Sequence, residues 1–298
     1  MSRFAQIDLS QLPPPDVVEE IDFEALLEDA VGQLVARQPE LAATIGLESD
    51  PLRKQLEVVS YVATLLRARI NDASRAVMLA TATGADLDNL AALFGVARLV
   101  IVPADDTVTP PTPAVMEGDD ELRRRTQLSL EGFTSAGSRG AYEFHARSAD
   151  GRVADVSVTS PNPGEVLVTV LANADDGTPP ADLLEIVAAA VNADEVRPLC
   201  DQVTVAAPSI LEYTVTAELE IAEGPDASVV LSTAQAAVAA YVADTHAIGA
   251  TVAVSGLLRA LHQAGVISAT LSAPVADIDA TLTEAPYCTS VTVTQAVV

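Results

Sequence analysis

The stretch that decides the fold is PLRKQLEVVSYVATLLRARINDASRAV, residues 51–77. Its apolar positions are separated alternately by four and three residues, which places them in one narrow row along a helix. The row consists of Leu52, Leu56, Val59, Ala63, Leu66, Ile70, Ala73 and Val77. A heptad row of this kind is typical of helices that pack on other helices, so it predicts a long helix with a partner-helix interface at these residues.

The same helix carries a cluster of basic residues in a chain that is otherwise rich in acids. They are Arg53, Lys54, Arg67, Arg69 and Arg75. A basic helix in an acidic protein indicates an electrostatically matched neighbour, on this chain or on another. Packing within its own helical hairpin would require the same apolar row, and this alternative stays open.

The segments on either side of this helix are predicted to be an extended arm and further helices. Residues 1–20, with their run of three prolines, are predicted to form an extended arm. A helix is predicted to begin after Asp22, which has a good N-cap side chain. Gly84 is placed to cap the C-terminus of the long helix, and a short helix follows at residues 86–94. We therefore assign residues 21–99 to a helical bundle segment.

Beyond the helices the pattern changes. Residues 100–118 are rich in proline and aspartate and are predicted to be a linker. Strand-like alternation then combines with helical periodicity in residues 119–208, and again in residues 209–298. The predicted fold class is α+β, with an N-terminal helical bundle segment followed by two small α+β modules.

Charge limits the partners that the chain can have. Lys and Arg number 16 against 42 Asp and Glu, a formal net charge of -26. Such a chain repels polyphosphates and anionic lipid surfaces, so we expect no nucleic acid and no membrane as partners. We also expect no signal peptide and no apolar stretch long enough to span a membrane. Cys200 and Cys288 are expected to be buried thiols in a chain made in a reducing cytosol.

The sequence gives little support for a metal site or for an active site built from two carboxylates. His145, His246 and His262 have no second ligand one helical turn away, so no metal site is predicted. The adjacent acidic pairs lie in predicted loops, where no cleft is indicated between two carboxylates. These pairs are Asp105 with Asp106, Asp119 with Asp120, and Asp175 with Asp176.

One serine has the spacing of a nucleophile elbow. The stretch AGSRG, residues 136–140, places Ser138 between small residues. A nucleophile elbow requires a strand before the serine, whereas the preceding segment is predicted to be helical. Ser138 is therefore predicted to be the N-cap of the next helix. Accordingly, no catalytic, cofactor-binding or metal-binding residues are predicted, and no cofactor.

Several long segments resemble the baseplate J family of contractile phage tails, in the same order along the chain. They are residues 47–52, 67–80, 82–91, 94–96, 119–125, 131–145, 150–158, 163–168 and 196–199. The resemblance covers nearly the whole chain from about Phe23 onward. It is closest to the short, P2-like members of the family.

The resemblance implies a structural virion protein, made in the bacterial host cytoplasm and located in the tail baseplate. It implies a wedge subunit that links wedges into a ring around the hub and transmits the contraction trigger to the sheath. The implied partners are a second wedge protein through a helical bundle, the sheath initiator, and neighbouring copies in a six-fold ring. A phage-derived tailocin, or a secretion or other injection system, could use the same subunit. A cytosolic hydrolase using Ser138 is a remote alternative.

Overall fold

The computed structural model describes residues 7–13, 15–134, 137–222, 224 and 226–296. The chain divides into two compact units, Met1–Ala97 and Arg98–Val298. Of the predicted arm, residues 1–6 and Pro14 lie outside the described residues, and a 3-10 turn forms at Leu9–Gln11.

The first unit consists of helices and turns. Its α-helices are α1 (Phe23–Arg37), α2 (Pro51–Ala76) and α3 (Gly84–Ala92), with a 3-10 turn at Pro39–Ala43. The carboxylate of Asp22 accepts hydrogen bonds from the first backbone N–H groups of α1, as predicted. Asp50 caps α2 in the same way, and the proline that follows it suits the first helical position. The predicted starts of both helices are therefore confirmed by their caps.

The end of α2 differs from the prediction. α2 ends at Ala76, with Val77 as its C-cap, so Gly84 does not cap it. Gly84 instead opens α3 with a φ of +52°, a left-handed conformation that a residue without a Cβ adopts at little cost. Turns over residues 77–83 separate the two helices.

The core of the first unit makes little use of α2. The buried apolar side chains of this unit are Leu27, Ile45, Ala82, Leu87, Ala91 and Val96. The buried residues of α2 are Ser60 and Asn71, both polar. The apolar side chains of α2, the longest helix in the unit, are therefore not part of the buried core.

The second unit begins where a linker was predicted. Strands β1 (Val100–Val102) and β2 (Val115–Met116) pair as an antiparallel ribbon. Helix α4 (Asp119–Leu128) follows, so Asp119 and Asp120 lie in a first helical turn and not in the predicted loop. Carboxylates are favourable there because the helix dipole is positive at its N-terminus. The linker role of this region remains a prediction.

A buried ion pair holds the ribbon against α4. The carboxylate of Glu117 accepts hydrogen bonds from Nε and Nη2 of Arg125 at 2.7 and 2.6 Å, and both side chains are 5% exposed. It also accepts from the backbone N–H of Leu99 at 3.0 Å. Removing one partner would leave a buried charge unpaired, which typically costs about 3–5 kcal/mol.

The first α+β module packs two helices on a three-stranded sheet. Its elements are α5 (Arg139–Ala149), β3 (Val153–Thr159), β4 (Glu165–Ala172), α6 (Ala181–Val191) and β5 (Gln202–Ala206). β4 lies in the centre, antiparallel to β3 and parallel to β5. Alternate valines of the strands pack on Tyr142, Ala146, Leu183 and Val187 of the helices. The stretch SPNPG, residues 160–164, has the composition of a hairpin turn and predicts one between two strands. It joins β3 to β4 in the structure.

The second module also combines a three-stranded sheet with helices. Its elements are β6 (Ser209–Ile221), α7 (Ala227–Thr245), β7 (Thr251–Val252), α8 (Val254–Leu261), β8 (Val266–Ala273), β9 (Ile278–Asp279) and β10 (Glu284–Gln295). In the sheet, β6 lies between β10, which is parallel to it, and the antiparallel β8. Every second residue of β6 is buried, from Tyr213 to Leu219. The predicted α+β class with an N-terminal helical segment is thus confirmed.

Helix α7 differs from the expectation that no apolar stretch is long enough to span a membrane. Among the described residues it is the one helix that is long and apolar enough to cross a membrane, judged by length and composition alone. Asp226 caps its N-terminus, and Val230, Ala234 and Val238 are buried against the module. One apolar stripe of α7 therefore packs into the core of the protein.

The two modules are joined by polar and apolar contacts. The carboxylate of Asp155, on β3, accepts hydrogen bonds from the guanidinium of Arg147 and, at 2.9 Å, from the backbone N–H of Ile248. Beside it, Leu171 of the first module packs with Ile248 and Ala285 of the second. One carboxylate thus satisfies donors from both modules.

Candidate assembly interface

The inner side of α2 packs within its own unit. The side-chain amide of Asn71 donates to the backbone carbonyl of Glu19 at 2.8 Å, and its oxygen accepts from the Glu19 N–H at 3.1 Å. The Glu19 carboxylate accepts a hydrogen bond from Arg67 at 2.7 Å. Ala63 borders a hollow shared with Leu26 of α1. Helix α1 and the segment around Glu19 therefore cover this side of α2.

Most of the predicted partner-helix row points away from that inner side. Its exposed members, with the exposed fraction of each, are Leu52 (38%), Val59 (61%), Leu66 (62%), Ile70 (58%) and Val77 (70%). Ala73 is exposed as well, whereas Leu56 and Ala63 are half-buried. Packing within the chain, the alternative left open by the sequence, therefore accounts only for Leu56 and Ala63. That the row binds a partner helix remains a prediction.

The structure exposes further apolar residues of α2 beside the predicted row. They are Val58, Tyr61, Val62 and Leu65, which are 48–63% exposed. Together with Leu66 and Ile70 they form the surface that we call the α2 outer face, and Val59 lies at its edge, beside the hollow that α1 borders. A signal was present in the sequence, because Val58, Val62 and Leu65 also follow the spacing of four and three. Two adjacent rows of this kind make a stripe wider than a single heptad seam.

The charges of α2 are arranged mainly in local ion pairs. Glu57 lies 2.9 Å from Lys54 and 3.6 Å from Arg53, and Asp72 lies 3.9 Å from Arg75. Exposed pairs of this kind contribute only about 0–1 kcal/mol each to stability. They leave the outer face of the helix predominantly apolar.

Ser138 has the structural role predicted for it. It is the N-cap of α5, and its Oγ accepts a hydrogen bond from the backbone N–H of Ala141 at 3.2 Å. The same hydroxyl lies 3.2 Å from the Thr134 hydroxyl and donates to the Glu131 carboxylate at 3.3 Å. The segment before it is a 3-10 turn, Glu131–Phe133, and not a strand. Ala136 of the elbow-like stretch lies outside the described residues.

The cysteines and histidines are dispersed. Cys200 is exposed, contrary to the expectation of a buried thiol, because it lies in the turn before β5. Cys288 is half-buried, and burial raises the pKa of its thiol. Nδ1 of His246 lies 2.7 Å from the carbonyl of Pro286. In the part of the chain that is described, no group of three or more His, Cys, Asp or Glu residues could hold a metal ion.

Comparison with known proteins relates the whole chain to one family. Models of the Baseplate J-like N-terminal, central and C-terminal domains match residues 48–105, 134–207 and 213–294. Baseplate protein J of Escherichia phage P2 is 46% identical over 288 residues, which are 95% of this chain and 95% of that protein. The chain belongs to the baseplate J family. The resemblance inferred from the sequence is thereby confirmed.

A solved structure is similar at a greater distance. It is a cryo-EM structure of the anti-feeding prophage baseplate, symmetrised six-fold, with 14% identity and a TM-score of 0.42. The match covers 62% of this chain and 47% of that chain, so the present baseplate J protein spans less than half of it. The likeness is too distant to add to the description of the fold.

Family membership establishes the class of the protein. This baseplate J protein is a structural component of a phage tail baseplate and is located in the virion. Its phage P2 relative is a structural baseplate protein too. That class agrees with the capping role of Ser138.

Proposed function

We propose that this chain is a wedge subunit in the baseplate of a contractile tail. It links wedges into a ring around the hub and transmits the contraction trigger to the sheath. The observation that carries the proposal is the match to phage P2 baseplate protein J over 95% of both chains. The match spans the helical unit and both α+β modules, so it supports a shared architecture and a shared role.

The α2 outer face is the proposed site for the second wedge protein, through a helical bundle. Its support is the exposure of large apolar side chains on one side of a long helix. Soluble monomers rarely expose wide apolar patches, and such patches mark protein interfaces. Burying each exposed Val, Leu or Ile would contribute about 1.5–3 kcal/mol before the costs of association.

The remaining proposed partners follow from the family. They are the sheath initiator and neighbouring copies of this chain in a six-fold ring. The domain boundaries predicted from the sequence would then separate a wedge-forming segment, residues 21–99, from modules at 119–208 and 209–298. A phage, a tailocin, or a secretion or other injection system could contain the ring. Neighbouring genes for a capsid and a terminase would favour a phage.

Electron microscopy of purified particles tests the location. A tag at the C-terminus of the full-length chain, labelled with gold, is expected at the baseplate end of every tail. Label along the sheath or at the opposite end would reject the proposed role.

Substitutions on α2 test the interface. Leu66→Asp or Ile70→Asp would place a carboxylate in an apolar contact, which costs several kcal/mol wherever that face is buried. Both side chains are exposed in the isolated chain, so the monomer should still fold while tail assembly is lost. Leu66→Met is the matched control and should assemble. If tails form normally with Asp at both positions, α2 is not an interface.

A further inference from the structure

The β1–β2 ribbon of the second unit exposes apolar side chains on both of its faces. Val100 pairs with Met116 across the ribbon and Val102 pairs with Val115, and all four are 43–52% exposed. Neighbouring residues of a strand point to opposite faces, so Val115 and Met116 lie on different faces with their partners. A helix packed on the ribbon would cover one pair only, whereas an added strand would place side chains beside both pairs.

One edge of the ribbon is open to a further strand. β1 lies against the turn at Gly151, where a Cβ atom would come within 2.8 Å of the Val100 carbonyl oxygen. On β2, the Glu117 N–H donates to the Leu99 carbonyl at 2.9 Å, so the backbone groups of the preceding Met116 point to the outer edge. No third strand pairs with the ribbon in the part of the chain that the structure describes. Two strands alone are marginally stable in water, and a third strand would stabilise them.

The base of the ribbon is fixed to the rest of the second unit. Besides the buried pair of Glu117 and Arg125, the guanidinium of Arg98 donates to the Glu117 carbonyl and to the Asp119 carboxylate, both at 2.7 Å. The outer edge of β2 is therefore presented in one orientation. A partner strand does not have to order it first, which reduces the entropic cost of binding.

The exposed charges of the ribbon are all negative. Residues 99–118 contain no Lys or Arg, and Asp105 and Asp106 lie near the tip of the ribbon. The prolines at positions 110, 111 and 113 have no N–H to offer a neighbouring strand, which confines strand pairing to residues 114–116. A positive side chain at the tip end of an added strand would be favourable, because opposite charges on neighbouring strands attract.

We propose that the outer edge of β2 binds an extended segment of a different chain as a third strand, and that this segment carries a Lys or Arg close to Asp105 and Asp106. The inference rests on the proposed function, in which this chain contacts other baseplate proteins. It assigns a second contact surface, in the second unit, and specifies the chemistry of the segment that binds there.

A strand from a second copy of this chain fits the edge poorly. None of the strands in the described part of the chain contains a Lys or Arg, so none of them supplies the positive charge. Two ribbons paired in parallel through β2 would bring their acidic tips together. An antiparallel pairing would place each tip near Asp119 and Asp120 at the base of the other ribbon. Both arrangements set carboxylates against carboxylates, which is unfavourable.

Crosslinking in assembled tails tests the partner. A photo-crosslinking amino acid placed at Met116 of the full-length chain should form a crosslinked product with a different protein. Mass spectrometry should join position 116 to an extended segment that contains a Lys or Arg. Asp106→Arg should lower the yield of this product more than about threefold, because two positive charges would then lie together. Glu185→Arg, an equal change of charge at an exposed position of α6, is the matched control and should leave the yield unchanged.

The outcomes separate this inference from the proposed function. In tails that contain the chain at the baseplate, a crosslink to a second copy, a crosslink to a helix of another protein, or no crosslink would overturn the third strand. The wedge role would stand in each of these cases. An unchanged yield with Asp106→Arg would overturn the positive charge near the ribbon tip. Tails that carry the chain outside the baseplate would reject the proposed function, and the inference with it.

Discussion

Ser138 gives the first residue-scale prediction. The Ser138→Ala substitution removes the acceptor for the Ala141 N–H at the start of α5, and loss of such a cap costs about 1 kcal/mol. Ser138→Asn keeps a capping side chain without adding a charge beside Glu131 and should retain stability. Urea unfolding measures both variants. A hydrolytic activity in the natural chain that disappears in the folded Ser138→Ala variant would restore the hydrolase alternative.

Tyr213 gives a pH-dependent prediction. Burial raises the pKa of its hydroxyl from 10.0 to about 12. Below pH 10 the group is protonated in both the folded and unfolded states, and stability is unaffected. Between pH 10 and 12 the unfolded chain loses the proton first, so the free energy of unfolding falls as pH rises. Burial also raises the pKa of Tyr142 and adds to the fall.

The Tyr213→Phe variant isolates this contribution. Without the phenolic hydroxyl, the variant should lose less stability than the natural chain between pH 10 and 12. Thermal unfolding at several pH values measures the difference. An identical decline in both proteins would show that Tyr213 does not contribute to the alkaline loss of stability.

At the scale of elements, Asn71 connects α2 to the segment that precedes α1. Its amide makes two hydrogen bonds to the backbone of Glu19 and is buried. Asn71→Ala would leave both backbone groups without these partners and should destabilise the first unit by about 1–3 kcal/mol. Hydrogen exchange at the Glu19 amide should accelerate.

Asn89→Ala is the matched control for this prediction. Asn89 lies on α3, is exposed, and donates to the carbonyl of Ala85 within its own helix. Its loss should change stability by less than about 0.5 kcal/mol. Equal effects of the two substitutions would contradict the role of Asn71 in fixing the segment.

Local patterns predicted the regular elements well. Asp22 and Pro51 marked the starts of α1 and α2, Ser138 marked α5, and the turn at residues 160–164 marked the hairpin of β3 and β4. These signals succeed because capping and turn geometry depend on neighbouring residues. The short pairs β1–β2 and β7–β9 were missed because strands of two or three residues carry almost no periodicity.

The candidate site was only partly predictable. Periodicity identified Leu66 and Ile70 on one side of α2, but it cannot show which side the rest of the chain covers. The position of Glu19, fixed by Asn71 far along the sequence, decides that question. Val58, Val62 and Leu65 were therefore recognised as exposed only in the folded unit.

At the scale of the whole second unit, Asp155 couples the two modules. Asp155→Ala would leave the largely buried guanidinium of Arg147 without this carboxylate and the Ile248 N–H without its acceptor. Because Arg147 keeps the Glu143 carboxylate at 3.7 Å, the substitution should cost about 1–3 kcal/mol. Global unfolding should shift accordingly, and hydrogen exchange of the Ile248 amide should accelerate as the contact between the modules loosens.

Asp182→Asn is the control for that coupling. Asp182 lies 2.8 Å from Arg152, but its side chain is 62% exposed, so its loss should cost at most about 1 kcal/mol. If the Ile248 amide stays equally protected in Asp155→Ala, the modules are held together by their apolar contact alone.

A cryo-EM reconstruction of assembled tails tests the wedge assignment most directly. We expect copies of this chain in a ring around the hub, with a helix of another protein covering Val62 and Leu65 of each α2. A ring in which the α2 outer face is exposed to solvent, or density for this chain outside the baseplate, would contradict the assignment.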